Sequence, residues 1–131
     1  MWRTLSHLAA SACLVLLISV VVPNRAESTS DMHLRLTKSQ PGTDTLLASP
    51  PTQICLWFSE APNARLSSIT LTGPTGKVEL GPVTLSPKDS TLLISQITDE
   101  IPGGNYQIAW RTASADGHVI RGTLPFSVRP E

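Results

Sequence analysis

Apolar and polar residues alternate one by one in several short segments of this chain, and this alternation decides its fold class. In residues 104–112, Tyr106, Ile108 and Trp110 share one face, and the residues between them share the other. Such a period of two is typical of a half-buried β-strand, whose successive side chains point to opposite faces. The same pattern recurs at 33–39, 52–60 and 121–129, with shorter candidates at 67–73, 77–81 and 91–97.

Turn-forming sequences separate these candidate strands: QPGTD, SPP, GPTG, SPKD and IPGGN. Beyond the N-terminal region, no segment carries an apolar stripe at helical spacing. About seven short strands joined in this way predict an all-β, immunoglobulin-like Greek-key sandwich or barrel. Pro125 stands inside one candidate strand, which indicates a sheet edge or a bulge, because proline donates no ladder hydrogen bond.

The N-terminal region has the three parts of a secretory signal peptide. Arg3 is followed by an apolar run from Leu8 to Val22, and the sequence then turns polar. That run is shorter than the roughly 20 residues of a membrane-spanning helix. With cleavage after Ala26, we expect a signal peptide at 1–26, a short extension at 27–32 and one domain at 33–131. The alternative is an uncleaved N-terminal anchor. Either way the domain is predicted to be periplasmic or extracellular.

Charge and cysteine content restrict the possible partners of the exported part. From residue 27 onward there are 8 Lys and Arg against 10 Asp and Glu, a net charge near −2, and no basic run. We therefore expect no nucleic-acid partner. Cys13 lies in the signal peptide, which leaves Cys55 as the one exported cysteine. The domain cannot form an internal disulfide and must depend on its apolar core.

A possible metal-binding motif lies between the last two candidate strands. Asp116 and His118 are separated by Gly117, whose conformational freedom permits a bend that aims both side chains at one point. Asp-Gly is also a common turn sequence, so an ordinary turn is the competing interpretation. The exported part holds only one other histidine, His33, so it cannot build a site from three histidines.

The surrounding sequence resembles the CopC family of exported copper-binding proteins. Residues 110–118 read W-R-x-x-S-x-D-G-H, and x-x-x-G-x-x-x-F-x-V follows. In residues 33–63 a histidine, a proline eight residues later and an I-x-L-x-F-S-E strand are similar to that family's N-terminal half. The resemblance implies that His33, Asp116 and His118 bind the metal, and that Glu60 lies beside it and supports the site.

Copper is the metal that the resemblance implies. Imidazole nitrogens and a carboxylate oxygen suit Cu(II), although zinc accepts the same donors. In typical family members the first histidine is the mature N-terminus, and its amine also binds copper. Cleavage after Ala26 would place six residues ahead of His33 and remove that donor. Of the exported residues only Met32 is a methionine, so a dedicated Cu(I) site is not expected.

Three classes of function remain open on the sequence. The favoured one is a copper carrier or chaperone that serves copper resistance or homeostasis, is not an enzyme, and works with an inner-membrane copper transporter of the CopD type. The second is a copper-dependent oxidative enzyme with a histidine-brace-like site. The third is a metal-free sandwich domain in a membrane transporter or adhesion system.

Overall fold

The computed structural model describes residues 33–131, so the expected signal peptide and the extension at 27–32 lie outside the described residues. No helix within 33–131 is long and apolar enough to span a membrane. The only helix there is a 3-10 turn at Ala64–Leu66. Nine strands make up the rest of the regular structure: β1 Leu36–Gln40, β2 Thr45–Leu47, β3 Gln53–Phe58, β4 Ser68–Gly73, β5 Gly76–Val78, β6 Thr84–Leu85, β7 Leu92–Gln96, β8 Gly104–Ala113 and β9 Val119–Val128.

The strands form two sheets, which confirms the all-β sandwich. One sheet has the order β1-β3-β7-β6 and the other β2-β9-β8-β4-β5. All seven expected strands are present. The additional two, β2 and β6, have only three and two residues. Segments this short offer too little alternation to be recognised. The pairing of β2 with β9 is also distant in sequence, whereas β6 pairs with the next strand, β7.

The hairpin of β8 and β9 positions the candidate motif. Its register runs through ten residue pairs, from Gly104 opposite Val128 to Ala113 opposite Val119. The connection at 114–118 contains Asp116 and His118 and therefore projects from the end of the longest ladder in the described part of the chain. A long, continuously paired hairpin gives its connecting loop a rigid base.

The core lies between the two sheets and follows the predicted alternation. On β8, Tyr106 and Ile108 face inward and are buried, while Asn105 and Gln107 are exposed. The Tyr106 hydroxyl donates a 2.6 Å hydrogen bond to the carbonyl of Pro102, so its polar end is satisfied inside the core. The buried apolar cluster consists of Leu34, Ile54, Leu56, Phe58, Ile69, Leu71, Val78, Leu93, Ile101, Tyr106, Ile108, Leu124, Phe126 and Val128.

Pro125 lies just before the part of β9 that is paired with β2. The short strand β2 pairs only with residues 126–128, and the carbonyl of Pro125 accepts a 2.7 Å hydrogen bond from the Asp44 N–H. In an extended strand the nitrogen and the carbonyl of one residue point to the same side, so the Pro125 nitrogen faces away from β8. The β8–β9 ladder therefore loses no hydrogen bond at this proline.

The surroundings of Cys55 and Trp57 give both residues a structural role. Cys55 is a buried free thiol. Burial raises its pKa, and a hydrogen bond from the Gln53 side chain opposes that effect only in part. Trp57 is half-buried on the same face, with the Lys38 ammonium 4.7 Å from its ring centroid. The cation–π contact with Lys38 gives the Trp57 ring a structural role, and burial keeps the Cys55 thiol unreactive.

Candidate metal centre

The loop at 114–118 is closed by its own backbone. The Ser114 N–H donates to the His118 carbonyl at 3.0 Å, and the Gly117 N–H donates to the Ser114 carbonyl at 3.0 Å. Gly117 has φ of +88°, a left-handed conformation that side chains with a Cβ rarely adopt. The backbone conformation therefore explains why residue 117 is a glycine. The bend brings residues 116 and 118 side by side.

Three hydrogen bonds converge on the Asp116 carboxylate. The Ser114 hydroxyl donates to Oδ1, the backbone N–H of His118 lies 3.3 Å from Oδ1, and Nδ1 of His118 lies 2.8 Å from Oδ2. Hydrogen bonds to the charged form favour that form. They hold the pKa of Asp116 at about 2, below its ordinary 3.8, with the Ser114 hydroxyl as the largest cause. Asp116 is therefore a carboxylate at any neutral or mildly acidic pH.

The contact with Asp116 fixes the form of His118. An ionised carboxylate is only an acceptor, so Nδ1 must carry the hydrogen. In the neutral ring Nε2 is then the acceptor nitrogen, the one through which a metal can be bound. The His118 side chain is 78% exposed and that of Asp116 is 66% exposed, so solvent and ions reach both.

A second segment approaches the loop from the other sheet. The Ser59 hydroxyl accepts from the Arg35 N–H at 3.0 Å and lies 3.3 Å from the His33 carbonyl, while the Ser59 N–H donates to the Arg35 carbonyl at 2.9 Å. These bonds tie the chain before β1 to the chain after β3, which carries Glu60. His33 lies three residues before β1, so the first strand, expected at 33–39, begins near this histidine at Leu36.

All four predicted residues line one cleft. It has a volume of about 340 Å³ and combines the polar groups with the apolar side chains of Leu34 and Ile120. The four residues therefore lie together at one end of the sandwich. The cleft is lined by His33, Leu34, Glu60, Ser114, Ala115, Asp116, His118 and Ile120.

The side chains do not stand ready as a ligand set in this conformation. Among residues 33–131, no three His, Cys, Asp or Glu side chains are spaced to hold one metal ion. In the loop, the hydrogen bond between Asp116 and His118 prevents the two side chains from binding one ion together. Nδ1 and Nε2 direct their bonds to different sides of the imidazole. A carboxylate bonded at Nδ1 cannot also lie about 2 Å from an ion at Nε2. Binding through both residues requires that bond to open.

Ser114 also lines the cleft and was not among the site residues predicted from the sequence. It stands in the quoted motif S-x-D-G-H, two residues before Asp116, which is the spacing at which a serine hydroxyl reaches a neighbouring loop group. That spacing could have identified it. Its contact with Asp116 became evident only from the loop geometry.

Comparisons with a family profile, with known proteins and with solved structures agree with the family resemblance seen in the sequence. The CopC domain profile matches residues 36–129. Protein YobA of Escherichia coli K12 is 31% identical over 98 residues, which cover 74% of this chain and 79% of that protein. Copper resistance protein C of Escherichia coli is 31% identical over 104 residues, covering 74% and 82%. The crystal structure of CopC from Methylosinus trichosporium OB3b superposes with a TM-score of 0.67 at 25% identity, covering 76% of this chain and 96% of that one.

Proposed function

The chain belongs to the CopC family of copper proteins, whose members are not enzymes, and from that premise we propose that it binds one Cu(II) ion as a carrier outside the cytoplasm. The observation that supports the proposal is the shared cleft of His33, Glu60, Asp116 and His118. Four residues from three distant parts of the chain line one small volume. An ordinary turn at 116–118 would not require His33 and Glu60 beside it.

The ligands we propose are the imidazoles of His33 and His118 and a carboxylate oxygen of Asp116. Nitrogen and oxygen donors of this kind suit the tetragonal preference of Cu(II). Asp116 supplies a negative charge, since its pKa of about 2 keeps it ionised. On loading, one of its oxygens leaves His118 Nδ1 and binds the ion, and His118 binds through a ring nitrogen.

Glu60 is proposed to support the site without binding the ion. It follows Ser59, whose bonds to the His33 segment fix that part of the cleft. A carboxylate there can orient an imidazole or balance the charge of the ion, as groups beside metal ligands commonly do.

The affinity depends on where the mature chain begins. A chain that begins at Glu27 offers only side-chain donors at His33, because its backbone amide holds a proton near neutral pH. A chain processed to begin at His33 adds an amine as a fourth donor. We propose that the processed form is the tighter carrier, and that it works with an inner-membrane copper transporter of the CopD type.

Family membership argues against the oxidative enzyme considered from the sequence, because the family is one of copper proteins that are not enzymes. The metal-free sandwich remains the competing interpretation and is addressed by direct titration. Competition with a chromophoric Cu(II) chelator gives the Kd of the native chain and of each variant. The expected result is one Cu(II) per chain, with most binding lost in His118→Ala.

Two further variants sharpen that titration. Glu60→Gln should weaken binding by roughly 10–100-fold, the usual effect of a residue beside the ligands. Asp44→Asn is the matched control: it removes one exposed carboxylate beside β2, at the far end of β9 from the loop, and should leave the Kd unchanged. If His118→Ala binds as tightly as the native chain, the loop is only a turn and the carrier proposal is wrong.

A further inference from the structure

Ser114 is the point at which the loop is fastened to the sandwich. It follows Ala113, the last residue of β8, and is only 7% exposed, whereas Asp116 and His118 point into solvent. Its hydroxyl donates to Asp116 Oδ1 and also lies 3.3 Å from the His118 carbonyl. Its backbone N–H donates to the same carbonyl. One buried residue therefore contacts both residues of the motif.

We propose that Ser114 is a positioning residue of the copper site. Its hydroxyl holds Oδ1 of Asp116, so that only Oδ2 has to exchange its partner, from Nδ1 of His118 to the incoming ion. This inference rests on the proposed function and adds to it a residue that binds no metal.

The physical reason is the freedom of an exposed aspartate. The terminal torsion of aspartate is broad, so a carboxylate with 66% of its side chain exposed would sample many orientations. Each orientation that must be abandoned on binding lowers the affinity. The Ser114 bond removes much of this freedom in advance, and it does so from the end of a continuously paired strand. Ligand groups held by rigid supporting contacts bind more tightly.

The two hydrogen bonds to Oδ1 of Asp116 can coexist with a bond from Oδ2 to the metal ion. A carboxylate oxygen has two lone pairs, and together the two oxygens offer about four acceptor sites. Ser114 and the His118 N–H lie at Oδ1, which leaves Oδ2 free once His118 turns away. The ion therefore competes with the imidazole for Oδ2 and not with the serine.

The test is Ser114→Ala, measured by Cu(II) competition titration and by electron paramagnetic resonance of the loaded protein. We expect the Kd to rise by about 10-fold, within the range for loss of a group that orients a ligand. The copper spectrum should also shift or become heterogeneous. Ser114→Thr, which retains the hydroxyl, should restore the native Kd and spectrum.

A matched control separates positioning from general destabilisation. Ser95 is also a buried serine, 1% exposed, and its hydroxyl donates to the Gly81 carbonyl at 2.9 Å. Ser95→Ala should lower the melting temperature without changing the copper spectrum.

The double variant Ser114→Ala/Asp116→Ala completes the test. If Ser114 acts through Asp116, its removal should cost nothing further in the Asp116→Ala background, because the two effects are coupled. A native Kd and spectrum in Ser114→Ala, or an equal additional loss in the double variant, would overturn the role of Ser114. The carrier proposal would stand after that result, provided that Asp116→Ala and His118→Ala bind copper more weakly than the native chain.

Discussion

Adding one methyl group at Gly122 should destabilise the domain through Trp110. These residues are directly opposite in the β8–β9 register. A Cβ at position 122 would lie 2.7 Å from Cζ2, 2.9 Å from Cε2 and 3.0 Å from Nε1 of the indole. The indole cannot withdraw easily, because it packs edge-on against the buried Phe58 with ring centroids 5.5 Å apart. Gly122 has no left-handed φ, so the strain of Gly122→Ala is purely steric.

The expected loss is the difference of two effects. Forcing an extra methyl group into a packed interior costs about 1–3 kcal/mol. Alanine also restricts the unfolded chain, which stabilises the fold by about 0.4–1 kcal/mol. The net loss for Gly122→Ala is therefore about 0–2.6 kcal/mol, with a midpoint of about 1.3 kcal/mol. For a domain of this size each kcal/mol lowers the melting temperature by roughly 4–8 °C.

Gly81→Ala is the matched control for that change. A Cβ there would meet its nearest neighbour, Cβ of Gln96, at 3.6 Å, an ordinary contact. Gly81→Ala should therefore melt at the native temperature or slightly above it. The measurement is thermal unfolding followed by far-ultraviolet circular dichroism on all three proteins.

A second substitution tests the cause. Nε1 of Trp110 is buried and has no acceptor within residues 33–131, so Trp110→Phe removes no hydrogen bond seen there. The smaller ring should relieve the clash, and Gly122→Ala should cost less in the Trp110→Phe background than in the native one. A melting temperature of Gly122→Ala equal to or above that of Gly81→Ala would show that the indole does not lie over Gly122.

Three further predictions concern the loop, the N-terminus and the buried thiol. The lowered pKa of Asp116 stabilises the fold above pH 3.8, its ordinary pKa, and this stability is lost as the pH falls through about 2. Between these two pH values Asp116→Asn should lose less stability in urea unfolding than the native protein. Equal losses would contradict the Ser114 and His118 bonds. A chain that begins at His33 should bind Cu(II) more tightly than one that begins at Glu27 in the same chelator competition, and equal Kd values would exclude the amine as a donor. Cys55, buried and with a raised pKa, should react with a thiol reagent only slowly until denaturant is added, and rapid native labelling would show that β3 is exposed.

Much of the fold could be predicted because it follows from alternation. Residues 104–112 and 121–129 carry the pattern over many positions, and they became the longest hairpin among the described residues. The strand β2 could not be predicted, since three residues carry too little pattern and its parallel pairing with β9 joins segments about 80 positions apart.

The candidate site was only partly predictable. The residue types at 33, 60, 116 and 118 indicated a site through the family resemblance, and the fold brings them to one cleft. The hydrogen bond between Asp116 and His118 could not be foreseen, because an exposed carboxylate chooses among several partners whose positions depend on the bend at Gly117. The same bend decides that Ser114, and no other hydroxyl within 33–131, donates to Asp116.

The most direct test of the copper site is anomalous diffraction at the copper absorption edge, from crystals of the Cu(II)-loaded chain that begins at His33. We expect one anomalous peak per chain in the cleft, about 2 Å from donor atoms of His33, Asp116 and His118, with Glu60 near the ion but not bound to it. A copper peak elsewhere on the sandwich, or an Asp116 that still bonds Nδ1 of His118 while copper lies in the cleft, would contradict the proposed ligand set.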